Sequence, residues 1–234
     1  MLKERQKSIL EAAIVEHIRT ARPVASQEIM QRLCFGISPA TIRNEMQSLD
    51  EGGYLEQPHT SAGRIPTDKG YRFFVDNLIE HSNLNTKEEK YMERAFRGNE
   101  QDECIKNLSK TIAEISGTFT VAGVFDNDIF YDNGLTDVLD EPEFEEADSI
   151  RSFGRLVDML NEAIPELFKK HEIEQEAIFI GEENPLKETR GCTMTVSRWR
   201  HPRGFEGFLA MVGPKRAQYQ KQVAILHYLE DIRN

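Results

Sequence analysis

On a helix of 3.6 residues per turn, Ala40, Arg43, Asn44 and Gln47 lie away from the apolar stripe formed by Ile42, Met46 and Leu49. In a major groove, arginine donates two bonds to guanine, and asparagine or glutamine pairs with adenine. Ser38 and Thr41 stand at the amino end of the same stretch, where hydroxyls and free amides suit a phosphate. Residues 58–64, PHTSAGR, are rich in turn formers and longer than an ordinary hairpin loop. They offer His59, Thr60, Ser61 and Arg64 to phosphate, and Arg64 is long enough to enter a minor groove. The chemistry within reach of these residues is recognition of duplex DNA. A polar helix face is more often simply solvated, and the same architecture also serves as a protein-interaction module, so periodicity alone leaves those readings open.

The surrounding pattern supplies the elements that must hold such a face. A first helix over about residues 2–20 carries Leu10, Ala13, Ile14 and Ile18 at helical spacing, and Arg22-Pro23 breaks it. A second runs from Ser26 to Leu33. The third starts where Ser38 can cap free amides and Pro39 fits the first helical position, and it ends at Gly52-Gly53. Tyr54–Glu56 and Ile65-Pro66 read as the strands of a two-stranded wing. Thr67 caps a fourth helix with Tyr71, Phe74, Val75 and Leu78 inward. The predicted organisation is a winged helix-turn-helix over 1–80, a polar linker over 81–99 with room for some helix, and an α+β domain over 100–234.

In that second domain a helix is expected near 100–116, with strands at 118–125 and 129–131 and a solvated acidic loop at 140–148. A helix over 149–164 is interrupted by Pro165. Strands follow at 177–180, 193–199 and 205–212, and a last helix opens at Pro214.

The net charge of −11 argues against a chain that coats nucleic acid non-specifically. Its distribution is uneven: residues 1–80 hold 10 Lys+Arg against 11 Asp+Glu, and residues 81–234 hold 19 against 29. A nearly neutral head on an acidic body can bind DNA if its basic groups share a face. No apolar run is long enough for a membrane helix, and the polar start lacks the features of a signal peptide, so the expected compartment is the cytoplasm.

Catalytic and metal chemistry find little support. Cys34, Cys104 and Cys192 are far apart and form no CxxC pair, which favours buried thiols over a disulfide framework or zinc site. The six histidines form no ligand pair. Glu182 and Glu183 are adjacent, so on a strand they point to opposite faces. GPKR at 213–216 lacks the rest of a phosphate-binding loop. The expectation is a non-enzyme without cofactor.

VASQEIMQRL followed by SPATIRNEMQSLDEGGYLEQPHTSAGRIPTDKGYRFFVD closely resembles the amino-terminal domain of the HrcA family, the bacterial heat-inducible transcription repressors. IFIGEENPL and GFLAMVGPKRAQYQKQVAILHYLE are similar to the family's carboxy-terminal region. The resemblance implies a dimer that binds an inverted-repeat operator upstream of chaperone operons, releases it on heat shock, and is helped by the chaperonin GroEL. It places the reader helix on Ser38–Leu49 and the wing on His59–Arg64. It also implies a GAF-like second domain with an inserted dimerisation segment. This chain is shorter than typical members in its middle, with 140–148 as the remnant of that segment. The alternatives are a ligand-responsive regulator built on the same winged helix and a winged-helix protein-interaction module.

Overall fold

The computed structural model describes residues 2–33, 36, 38–59, 62–79, 82–97, 100–125, 129–170 and 173–233. The chain divides into two compact units, Met1–Glu80 and His81–Asn234.

In the first unit, α1 (Glu4–Thr20) buries Ile9, Leu10, Ala12, Ala13 and Ile14. It stops where Ala21 turns left-handed (φ 54°), its amide donating to the His17 carbonyl, two residues before Pro23. Next, α2 (Ser26–Leu33) buries Ile29. The third helix, α3 (Pro39–Glu51), begins as its sequence requires: the Thr41 amide donates to Ser38 Oγ at 3.2 Å and Pro39 occupies the first turn. Ile42, Met46 and Leu49 are buried along its inner side. The wing follows as β1 (Leu55–Glu56) and β2 (Ile65–Pro66), antiparallel, with Leu55 opposite Pro66 and Glu56 opposite Ile65. Then α4 (Asp68–Asn77), capped by Thr67, lies so close to β1 that a Cβ at Gly70 would fall 2.2 Å from the Tyr54 carbonyl oxygen.

The second unit contains α5 (Thr86–Phe96), α6 (Gln101–Ser116), β3 (Phe119–Val124), β4 (Phe130–Asn133), α7 (Leu135–Leu139), α8 (Ala147–Lys169), β5 (Glu176–Ile180), β6 (Cys192–Arg200), β7 (Glu206–Pro214) and α9 (Tyr219–Arg233). Its sheet is wholly antiparallel, in the order β4-β3-β7-β6-β5. Both faces are covered, which is why β3, β6 and β7 are buried nearly throughout rather than on alternate residues. One face packs Phe119, Met194, Val196 and Phe208 against Phe153, Leu156 and Leu160 of α8. The other packs Val124, Trp199, Leu209 and Met211 against Met92, Leu108, Ile112 and Ile225 from α5, α6 and α9. The fold is α+β.

Four expectations are corrected here. Residues 81–99 are not a linker throughout. They hold α5, started by Asn85 and Glu88 acting as reciprocal caps, and its Met92, Ala95 and Phe96 enter the core. The acidic stretch is not simply solvated. Pro142–Phe144 forms a short 3-10 turn, Phe144 is buried against Phe153, and Arg216 holds both Glu141 and Glu143. Pro165 does not end α8, because Leu167 and Phe168 beyond it are buried against the sheet. Pro214 closes β7 opposite Cys192, and the last helix starts at Tyr219. Cys104 and Cys192 are free and buried, while Cys34, His81 and His171 lie outside the described residues.

Candidate nucleic-acid interface

The outer side of α3 carries Ala40, Arg43, Asn44 and Gln47, all exposed, opposite the buried stripe. The side chains of Arg43 and Asn44 hold no hydrogen bond or ion pair among the described residues, so both are available to a ligand. Gln47 is partly engaged, its amide donating to Glu51 Oε1 at 3.1 Å. Ser38 and Thr41 stand at the helix start with their hydroxyls 3.0 Å apart, so the cap and a phosphate would share them.

The electrostatics of this helix depend on its carboxylates as much as on Arg43. Glu45 is held by Arg5 of α1, Asp50 by Arg64, and Glu51 accepts from Gln47. The acidic side chains of α3 are Glu45, Asp50 and Glu51, and each is therefore engaged within the fold, two of them neutralised by arginine. The carboxyl end is also met by a cation: Lys69 Nζ donates to the Gly52 carbonyl at 2.7 Å while lying 4.4 Å above the Tyr54 ring.

The wing is stitched to the helical core at its root. Val24 and Arg64 exchange both backbone hydrogen bonds, at 2.9 and 3.0 Å, in an isolated antiparallel bridge just before β2. The approach is so close that a Cβ on Gly63 would fall 2.4 Å from the Val24 carbonyl oxygen. Toward the tip, the Ala62 amide donates to the His59 carbonyl at 2.9 Å and Gln57 Nε2 donates to the Ala62 carbonyl at 3.0 Å. His59 is exposed in this turn, whereas Thr60 and Ser61 lie outside the described residues. A cleft of about 380 Å³ opens between α3 and the wing, bordered by Ser26, Arg43, Gln47, Gln57 and Arg64.

Arg64, a candidate for phosphate or minor-groove contact, sits at the wing root just before β2, 14% exposed, with Nε donating to Asp50 Oδ2 at 2.9 Å. Sequence reasoning also missed Asp50, Gln57 and Gly63. Nothing in the spacing pairs Asp50 with Arg64 across fourteen positions, although glycine beside a predicted strand is a signal of close backbone approach.

A capped helix with a polar outer face, set beside a stitched two-stranded wing and followed by a separate α+β unit, defines the winged-helix class of transcription regulators. Family comparison is specific within that class. The family model "Winged helix-turn-helix transcription repressor, HrcA DNA-binding" matches residues 1–79, and "HrcA protein C terminal domain" matches residues 71–223. The chain belongs to the HrcA family. It is similar to the "Heat-inducible transcription repressor HrcA" of Thermoanaerobacter sp. (strain X514), 49% identical over 121 residues, which is 52% of this chain and 35% of that protein. It is also similar to the protein of the same name from Moorella thermoacetica (strain ATCC 39073 / JCM 9320), 25% identical over 332 aligned positions covering 98% of this chain and 96% of that one. Those 332 positions exceed the 234 residues here, so the relative has segments that this chain lacks. The chain thus spans about a third of the Thermoanaerobacter relative in their shared stretch and nearly all of the Moorella one, with gaps. Among solved structures, a crystal structure titled as a hypothetical protein at 2.2 Å resolution shares the fold, with a TM-score of 0.76 and 18% identity over 99% of this chain and 97% of that one.

Proposed function

We propose that this chain is a repressor that binds, as a homodimer, an inverted-repeat operator upstream of heat-shock chaperone genes in the cytoplasm, and lets go on heating. The observation that carries the reading is the outer face of α3, where Arg43 and Asn44 are exposed without partners among the described residues while the helix's own acids are engaged. Such a face costs little to dock against phosphate and presents the donors that read base edges. Two copies related by a two-fold axis match the two halves of a palindrome. Ser38 and Thr41 serve the phosphate at the helix start, Ala40 a thymine methyl, Arg43, Asn44 and Gln47 the bases, and His59 with Thr60 and Ser61 the backbone beside the wing. GroEL assists by restoring the folded dimer after stress.

A gel-shift titration of the full chain against the upstream region of the same genome's chaperone operon, with and without chaperonin, tests this. The expected result is a shift at a duplex containing the inverted repeat and a weaker one at a scrambled duplex. Equal affinity for both removes the operator reading, and no shift at either removes DNA binding altogether.

One observation favours a ligand-responsive regulator as a second reading. The second unit has a surface hollow of about 580 Å³ floored by Phe144, Phe153, Cys192 and Pro214 and rimmed by Arg155 and Lys187. A small-molecule panel that shifts both the melting temperature and the operator affinity would support it.

A further inference from the structure

We propose that Arg64 is a positioning residue: it acts on DNA through Asp50, fixing the wing against the carboxyl end of the reader helix, and does not itself touch the duplex. The inference rests on the DNA-binding reading above.

Three observations converge on it. The Arg64 guanidinium is committed inward, Nε to Asp50 Oδ2 at 2.9 Å, with 14% of its side chain exposed against 33% for Asp50. Its backbone is committed as well, paired with Val24 in both directions, so residue 64 belongs to the root of the wing and not to its tip. Asp50 lies in the last turn of α3, where a carboxylate is repelled both by the helix dipole and by approaching phosphates. Arg64 answers both repulsions with one charge.

The pair also sets a distance. Arg43 and Gln47 of α3 border one side of the 380 Å³ cleft, and Gln57, Gly63 and Arg64 of the wing border the other. The Asp50–Arg64 bond ties α3 to the wing beside this cleft and fixes how far apart the two elements stand. With 14% and 33% of the two side chains exposed, breaking the pair also costs stability, so the melting temperature of each variant is measured beside its affinity and DNA binding is read on the folded fraction.

The test measures affinity of the full chain for the operator duplex, and for a random-sequence duplex of equal length, across a salt series. The variants are Asp50→Asn, Asp50→Glu, Arg64→Gln and the double Asp50→Asn/Arg64→Gln. Asp50→Asn and Arg64→Gln should each weaken operator binding on the order of tenfold, the double variant no more than either, because both break one coupled unit. Asp50→Glu, which keeps the charge, should recover most of the loss and carries the test should Asp50→Asn fail to fold. The two single variants should share one salt slope. The proposal is overturned if Arg64→Gln has a slope flatter than Asp50→Asn by about 0.9, the mark of one lost phosphate contact. It is equally overturned if Asp50→Asn binds as tightly as the parent or more tightly, as simple removal of a negative charge would produce. Failure of the underlying reading looks different, since the parent itself would then shift neither duplex.

Discussion

Glu45, Asp50 and Glu51 would each repel a phosphate backbone, and each has its own answer within the first unit: Arg5, Arg64 and the amide of Gln47. Among the described residues Glu51 is answered only by a neutral group, which leaves it as an uncompensated negative charge of the helix. Glu51→Gln should therefore tighten binding to operator and random duplex alike, and unchanged affinity at low salt would refute that account. Arg43→Ala should do the reverse and more: lose about 1–3 kcal/mol at the operator and flatten its preference over mutated half-sites. A uniform loss across all sequences would reassign Arg43 to phosphate. In the second unit, burial pushes the Cys192 thiol up to about 12 and the Cys104 thiol to about 11. Both stay protonated where an unfolded thiol, near 8.5, ionises. Their contribution to stability is thus complete below that value and declines as pH climbs toward 11–12. A Cys34→Ser variant should show no fast-reacting thiol at pH 8, and both remaining thiols should react after unfolding in urea. A fast native reaction would place one of them at the surface.

Elements whose limits are set by local chemistry were legible in advance. Ser38-Pro39 starts α3, Gly52-Gly53 ends it and Thr67 starts α4, because capping depends on residues within one turn. Elements decided by distant partners were not. Pro165 carries a strong stop signal, yet α8 runs on because Leu167 and Phe168 gain more from the sheet than the lost hydrogen bond costs. The polarity of 81–99 hid α5, whose inward residues are few; the pair Asn85 and Glu88, three apart, was the available clue. The acidic stretch 140–148 became ordered through Arg216, more than seventy positions away. The polar outer side of α3 and the exposure of His59 were legible for the same local reason, whereas the Arg64–Asp50 pair, which joins two elements, was not, and Thr60 and Ser61 lie outside the described residues. At this scale Gly63→Ala is the sharpest probe. Its Cβ would meet the Val24 carbonyl, so the wing must detach or shift. Operator affinity should fall while the far-ultraviolet spectrum, dominated by helices, barely changes; parental affinity would show that the stitching is not needed.

The whole molecule combines a nearly neutral head with a strongly acidic body, and the body's interior is less apolar than its burial implies. Thr120, Thr193, Thr195, Ser197 and Gln222 are all fully buried. Most of these hydroxyls find partners, among them Thr195, which donates to Gln222 Oε1 at 2.8 Å, but Gln222 Nε2 has none among the described residues. A stranded donor costs about 1–3 kcal/mol. Removing both members together, Thr195→Val with Gln222→Leu, should raise the melting temperature of the second unit, because neither leaves a polar atom behind; a lower melting temperature would mean that packing outweighs polarity there. The unpartnered amide on α9 is thus a built-in drag on the body's stability, set at a position far in sequence from every candidate DNA contact.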